Sequence, residues 1–190
     1  TTCYLLSLTA VPSTGRSTAI QPGTPADRRR PLKGWRVFLR DGGDTEVQTL
    51  DQRFPHCELV MRQNGSTGTR AFRDARFVIR VTVTRLQDNW ARLEFLPEVH
   101  HGSRHLRPTA ADEGWQYRTR QNIVPLYSLL FTVDLSVGEL VVISGDPLIE
   151  RSVGRQFFLG TDPQADRQRV LVVRLANMQN TAGVFVPRPR

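Results

Sequence analysis

The sequence predicts an all-β fold of mostly antiparallel sheets, in a sandwich or barrel-like arrangement with little helix. Three observations predict it. Apolar and polar residues alternate along many short segments, the period of a strand with one buried face. Most of these segments are bounded by Gly, Pro, Asp or Asn, which favour turns. No window of a dozen residues keeps the apolar spacing of an amphipathic helix.

The first half of the chain shows strand patterns between two loops. We expect strands at 3–9, 35–40, 46–50 and 57–61. Asp41 and Asp44 flank Gly42 and Gly43, which predicts a hairpin turn. The Pro-rich and Arg-rich segment 13–33 and the Gly/Ser/Thr-rich segment 63–70 are predicted loops.

A long hairpin over residues 76–98 is the clearest element. Apolar residues occupy every second position from Phe77 to Val83 and again from Ala91 to Phe95. Residues 87–89 between them tolerate the positive φ of a tight turn. An irregular segment follows at 100–113. Further strands are predicted at 115–120, 129–135, 139–143, 156–159, 169–175 and 183–186, with a short helix at 147–153 or 165–169.

The length of 190 residues indicates a single β-rich domain over 1–190, with a division into 1–74 and 75–190 as the alternative. No segment has the roughly 18 consecutive apolar residues of a membrane-spanning helix. The formal net charge is +8, and Lys33 is the only lysine among 26 basic residues. Such a preference for arginine indicates coding bias rather than selection for charge.

The basic residues concentrate in one place. Arg28, Arg29, Arg30 and Lys33 form a cluster that could contact a polyanion or a partner. Proteins that bind single-stranded nucleic acid add exposed aromatic side chains to such a cationic surface. Here the phenylalanines fall within apolar strand patterns and are expected in the core, namely Phe77, Phe95, Phe131, Phe157 and Phe158. Nucleic acid is therefore a less favoured partner.

Cys3 and Cys57 are the only cysteines, too few for a four-cysteine zinc site. They are expected either to form one disulfide between the first and the fourth strand, in an oxidising compartment, or to remain buried thiols. The sequence leaves both alternatives open.

Three of the four histidines lie together, His100, His101 and His105, with Glu98 and Asp112 close by. Imidazole and carboxylate groups can bind a transition metal. Their spacing matches no motif of fixed geometry, so we interpret the segment as a solvated polar loop without a metal. The sequence also lacks a G-x-S-x-G elbow and a glycine-rich phosphate loop before a helix, so we expect neither an enzyme nor a cofactor.

The segment from residue 75 onward resembles the C-terminal homology region of bacterial secretins, outer-membrane ring proteins of secretion and pilus systems. The family's paired strands, V-x-P-x-I and V-x-L-x-I-x-P-E, resemble 79–86 and 90–98, the latter ending in Leu96-Pro97-Glu98. The family's G-x-x-V-V-I-G-G-L and P-x-L-G-x-L-F stretches resemble 138–145 and 152–158, and its closing strand resembles 169–175. Ser144 and Asp146 depart from the family's glycine and leucine.

This resemblance implies a non-enzymatic structural or interaction domain of the bacterial cell envelope that assembles with itself into a ring. Its expected partners are further copies or other envelope proteins, with membrane association through the assembly. The implied location is the periplasm or outer membrane, or the cytoplasm if no export signal precedes Thr1. The alternative function is a small β-barrel that binds nucleic acid or another polyanion, as the net charge of +8 suggests.

Overall fold

The computed structural model confirms the all-β class. It describes residues 2–14, 33–50, 52–63, 66–111, 114–146, 152–159 and 167–180. Within these ranges the elements are β1 Thr2–Thr14, β2 Lys33–Arg40, β3 Asp44–Gln48, β4 Phe54–Gln63, β5 Ser66–Gln87, β6 Trp90–Ala111, β7 Gly114–Pro125, a 3₁₀ turn Tyr127–Leu129, β8 Phe131–Ser136, β9 Leu140–Ile143, the helix α1 Val153–Phe158 and β10 Arg167–Asn180.

The strands form two antiparallel sheets. Sheet A has the order β2-β1-β10-β9. Sheet B is built on the β5–β6 hairpin: β4 and β3 pair in turn along β5, and β8 and β7 pair in turn along β6. The two are separate sheets rather than one closed barrel, so the sandwich alternative describes the fold.

One face of each sheet is buried against the other. In sheet A the inward side chains include Tyr4, Leu6 and Leu8, and in sheet B they include Phe77 and Phe95. This is the alternation that the sequence predicts. The phenylalanines expected in the core are there: Phe77, Phe95, Phe157 and Phe158 are buried and Phe131 packs against them half-buried.

The turn at Gly42 and Gly43 is not the hairpin that the sequence predicts. It is tight, but it connects β2 of sheet A to β3 of sheet B. The backbone N–H of Gly42 donates to the carbonyl of Val83 at 2.9 Å, and the N–H of Val83 donates to Gly43 at 3.1 Å. These bonds to β5 hold the turn at one side of the sandwich.

The central strands are longer than the predicted hairpin. β5 and β6 have 22 residues each. The predicted loops at 63–70 and 100–113 are wrong for most of their length, since β4–β5 and β6–β7 pairing continues through both. A register irregularity between His101 and His105 encloses Gly102, whose φ is +77°. The glycine thus marks a bulge within a strand rather than its end.

The C-terminal elements are partly as predicted. Strands at 139–143 and 169–175 are confirmed within β9 and β10, but residues 156–159 belong to α1 and its end rather than to a strand. Ser152 caps this helix, its Oγ accepting from the N–H of Arg155 at 3.0 Å. A helix turns the adjacent Phe157 and Phe158 both inward, whereas a strand would point them to opposite faces. The helix predicted at 165–169 is wrong for residues 167–169, which begin β10. The strand predicted at 183–186 lies outside the described residues.

Candidate functional site

A buried polar cluster lies on the outer face of sheet B, away from the sandwich core. Its centre is Glu98 and His100 on β6, each 1% exposed. Nε2 of His100 is 2.9 Å from one oxygen of Glu98, and Nη2 of Arg80 is 2.6 Å from the other. On the far side of the ring, Nη2 of Arg76 is 3.0 Å from Nδ1 of His100. The four side chains form a continuous chain of polar contacts.

Strand register brings these side chains together. Arg76 on β5 lies directly opposite His100, and Arg80 lies diagonally across from Glu98. Opposed and diagonal residues of an antiparallel pair are within reach of long side chains. Because neighbouring residues alternate between faces, these four share the outer face, while Phe77 and Val99 point into the core.

The contacts define the tautomer of His100. A guanidinium group can only donate hydrogen bonds, so Nδ1 of His100 accepts from Arg76. Nε2 therefore carries the proton and donates it to Glu98. The neutral ring satisfies both neighbours. Within the described structure, the buried Nε atoms of Arg76 and Arg80 have no hydrogen-bond partner, which costs stability.

Glu46, Glu98 and His100 place one potential ligand atom each within 4.8 Å of one another. Glu46 comes from β3, where it lies opposite Arg80. The charges around them favour an ion-pair network over a metal, because Arg76 and Arg80 already balance the two carboxylates. A divalent cation here would displace Arg80 from Glu98 and leave the cluster with excess positive charge.

The histidine segment is not the solvated loop that the sequence predicts. His100 is buried in β6, and the ring of His101 packs edge-on against Phe72 at 5.0 Å between centroids. Burial, with the nearby charge of Arg70, lowers the pKa of His101. His105 lies in the same strand opposite Arg120, and Asp112 is outside the described residues. Of the histidines whose side chains the structure describes, only His100 belongs to the cluster with Glu98.

The other predicted site residues are separated or lie outside the description. Arg28, Arg29 and Arg30 are outside the described residues, and Lys33 is the first residue of β2. Cys3 lies on β1 and Cys57 on β4, in different sheets, and no disulfide joins them. Cys3 is half-buried and Cys57 is buried. Burial raises the pKa of the Cys57 thiol.

The outer face of sheet A is apolar and basic. We use "sheet A face" for six exposed residues of β2, β9 and β10: Arg36, Phe38, Arg40, Leu140, Val142 and Arg174. Phe38 is 76% exposed, Val142 55% and Leu140 52%. Register places Arg36, Ser7, Arg174 and Leu140 in one row across the four strands. The outward positions of the described sheet A strands hold no acidic residue.

The outer face of sheet B is acidic beside the buried cluster. We use "sheet B face" for the exposed Asp44, Glu46 and Glu94. Asp44, Thr82, Glu94 and Thr132 form one row across β3, β5, β6 and β8. Arg92 and Asp134 lie in the next row, joined by two hydrogen bonds of 2.7 and 2.8 Å. This pairing lowers the pKa of Asp134. Because Arg76 and Arg80 balance Glu46 and Glu98, Asp44 and Glu94 remain as the net negative charge of the face.

Two hairpins continue sheet B past the last described pair between β5 and β6, and the inner side chains of the first, Cys57, Leu59 and Phe72, belong to the common core. The first arm is β4 with residues 66–75 of β5, and the second arm is residues 101–111 of β6 with residues 114–122 of β7. They diverge where Arg76 pairs with His100, the last described pair between β5 and β6. Gln121 joins their bases by donating to the carbonyls of Asp74 and Gly102 at 3.0 and 2.8 Å. Each arm strand has one strand partner.

Comparison with protein-family models, with curated proteins and with solved structures gives no significant match. No helix within the described residues is long and apolar enough to cross a membrane. The candidate sites therefore rest on the geometry of this chain alone.

The sequence pattern missed the buried cluster and the two faces. The alternation did contain a signal for the cluster, since Arg76, Arg80 and Glu98 fall on the polar phase of one predicted hairpin and His100 continues that phase just beyond it. The charges of the two faces depend on which strands become neighbours. That pairing joins residues as distant as Arg36 and Arg174, and no local pattern reveals it.

Proposed function

We propose that this chain is a non-enzymatic structural domain of the bacterial cell envelope that assembles with copies of itself into a secretin-like ring. The observation that carries the proposal is the pair of arms in which sheet B continues as two-stranded hairpins. About ten residues of each strand extend past the point of divergence, which corresponds to about 33 Å of strand.

The arms have open edges that favour association. Within the described residues each arm strand has one strand partner, and an unpaired strand edge is a template for pairing with another chain. Copies placed around a closed ring supply neighbours for every arm, and closed symmetry is the usual form of a homo-oligomer. The resemblance of residues 79–98 and 138–175 to secretins supports the same kind of assembly.

Size-exclusion chromatography with light scattering, with and without detergent, tests this proposal. The expected result is a discrete oligomer whose population rises with concentration and which appears as rings by electron microscopy. A monomer at every concentration in both conditions would refute assembly. Fractionation of cells that express the whole gene tests the envelope location, and recovery of the protein only in the cytoplasm would contradict it.

A polyanion-binding domain is a second candidate, favoured by the sheet A face. Three exposed arginines and the 76%-exposed Phe38 combine positive charge with an aromatic ring. Binding to labelled single-stranded DNA should then weaken steeply with salt, because phosphate contacts release counterions. Arg36→Glu should weaken it further. Binding that does not change with salt would reject this candidate.

A further inference from the structure

The two outer faces of the sandwich carry opposite charges. The sheet A face presents Arg36, Arg40 and Arg174, and neither Arg36 nor Arg40 forms an ion pair with any described residue. The sheet B face presents Asp44, Glu46 and Glu94. One molecule thus has a basic face and an acidic face on opposite sides of one core.

The sheet A face also exposes more apolar surface than a solvated sheet requires. Phe38, Leu140 and Val142 are all at least half exposed, although strands with one solvated face normally carry polar residues there. Half-buried Leu5 lies beside Phe38 and half-buried Val172 beside Val142, on either side of the row that holds Arg36 and Arg174. Exposed apolar side chains next to charged ones are typical of an interaction surface.

We propose that the sheet A face of one copy binds the sheet B face of the next. This inference rests on the proposed self-assembly and identifies the surfaces that mediate it. The arginines of one copy then face the carboxylates of the next, and the apolar side chains are covered. Packing the sheet A faces of two copies together would place arginine against arginine, which like-charge repulsion disfavours.

Such a contact is heterologous, because it uses two different surfaces. Heterologous contacts form rings when the rotation closes and filaments when it does not. A face of four strands and about eight residues measures about 19 by 26 Å, so two faces bury about 1,000 Å². That area is at the lower limit for a specific interface. Each contact is therefore weak alone and needs the closed assembly.

Two charge-reversal variants test the pairing of unlike faces. Arg36→Glu with Arg40→Glu reverses the sheet A face and leaves the hydrogen bond from Arg174 to Gly138 intact. Asp44→Arg with Glu94→Arg reverses the sheet B face and leaves the Glu98 cluster untouched. Each variant should raise the concentration for half-assembly by about 100-fold, because like charges now meet. Arg85→Glu, at the tip of the β5–β6 hairpin, is the control and should assemble as the wild type does.

Mixing and combining the variants gives the decisive readout. An equimolar mixture should recover assembly with the two variants alternating, because the reversed sheet A face of one meets the reversed sheet B face of the other, and the two unreversed faces meet likewise. All four changes in one chain should restore self-assembly, because both faces are reversed together. Circular dichroism and thermal unfolding establish that every variant is folded.

The outcomes separate this inference from the proposed function. If the wild type assembles and both reversed variants assemble equally well, the interface is wrong while self-assembly stands. If only the sheet A variant fails, the contact is between two sheet A faces and the inference is overturned. If the wild type never assembles, the proposed self-assembly is refuted, and the interface that rests on it is refuted with it. Loss of DNA binding without loss of assembly would assign the sheet A face to a polyanion instead.

Discussion

Tyr4 and Asp41 connect β1 to the turn between the two sheets. The buried Tyr4 hydroxyl donates to Asp41 at 2.9 Å, and the same carboxylate oxygen accepts from the N–H of Arg85 at 2.7 Å. Burial and this hydrogen bond raise the pKa of Tyr4. The folded state therefore holds the phenolic proton more tightly than the unfolded chain does.

Tyr4→Phe should change the stability of the protein at alkaline pH. Above a pH of about 10 the unfolded chain loses the phenolic proton while the folded protein keeps it, so the free energy of unfolding falls. The expected slope is up to about 1.4 kcal/mol per pH unit. The variant should lose about 1 kcal/mol at neutral pH and show a shallower alkaline decline. Urea unfolding from pH 7 to 11 measures both, and Tyr127→Phe is the exposed control.

Glu98→Gln should test whether the buried cluster is an ion-pair network. The change leaves Arg80 without its partner, and we expect a loss of about 2 kcal/mol in the free energy of unfolding. Adding Arg80→Met should recover part of this loss, because the unpaired charge is then removed. Asp134→Asn breaks an exposed pair and should cost less. A melting temperature that rises with added Zn²⁺ in the wild type, and not in Glu98→Gln, would instead support a metal site.

At the scale of elements, the short helix α1 depends on a close approach of two backbones. A Cβ placed on Gly145 would lie 2.3 Å from the carbonyl oxygen of Gly154. Only glycine at position 145 therefore lets the segment after β9 pass beside α1. This contact places Phe157 against Phe77, with ring centroids 4.9 Å apart.

Gly145→Ala should consequently displace α1 from the end of the core. We expect it to lower the free energy of unfolding by about 2 kcal/mol, as overpacking of a close contact does. Gly68→Ala is the matched control, since a Cβ there meets nothing within 4 Å. Urea unfolding of both variants provides the comparison. Equal stability of the two would show that α1 does not depend on this approach.

Elements with a clear two-residue period were predictable, and those that depend on distant pairing were not. Residues 76–98 form the expected hairpin because alternation and turn residues act locally. The extension of β6 past His100 was missed because polar side chains and Gly102 resemble a loop. Their strand structure depends on pairing with β7 and on contacts of His100 with Arg76 and Glu98. The hydrogen bond between Gly42 and Val83, which links the two sheets, likewise has no signal in the local sequence.

At the scale of the whole molecule, the proposed assembly would stack copies at a repeat of about 20 Å, since each copy has two sheets about 10 Å apart. The arms begin beside Asp74, with φ +49°, and Gly102, with φ +77°, and strands bend at such irregularities. Bends at these two positions would direct the arms of one copy towards those of its neighbour in the proposed assembly.

Hydrogen exchange should reveal this division between sandwich and arms. In dilute monomer, backbone amides of residues 78–82 and 90–95 should exchange slowest, because β5 lies between β3 and β6 there and β6 lies between β5 and β8. Amides of the first arm and the second arm should exchange faster, since each strand has one partner. On assembly the arm amides should gain protection while those of residues 78–82 and 90–95 change little. If the arm amides are already fully protected in the monomer, or gain no protection in the oligomer, the arms do not form the assembly contact. The two faces are then its only basis.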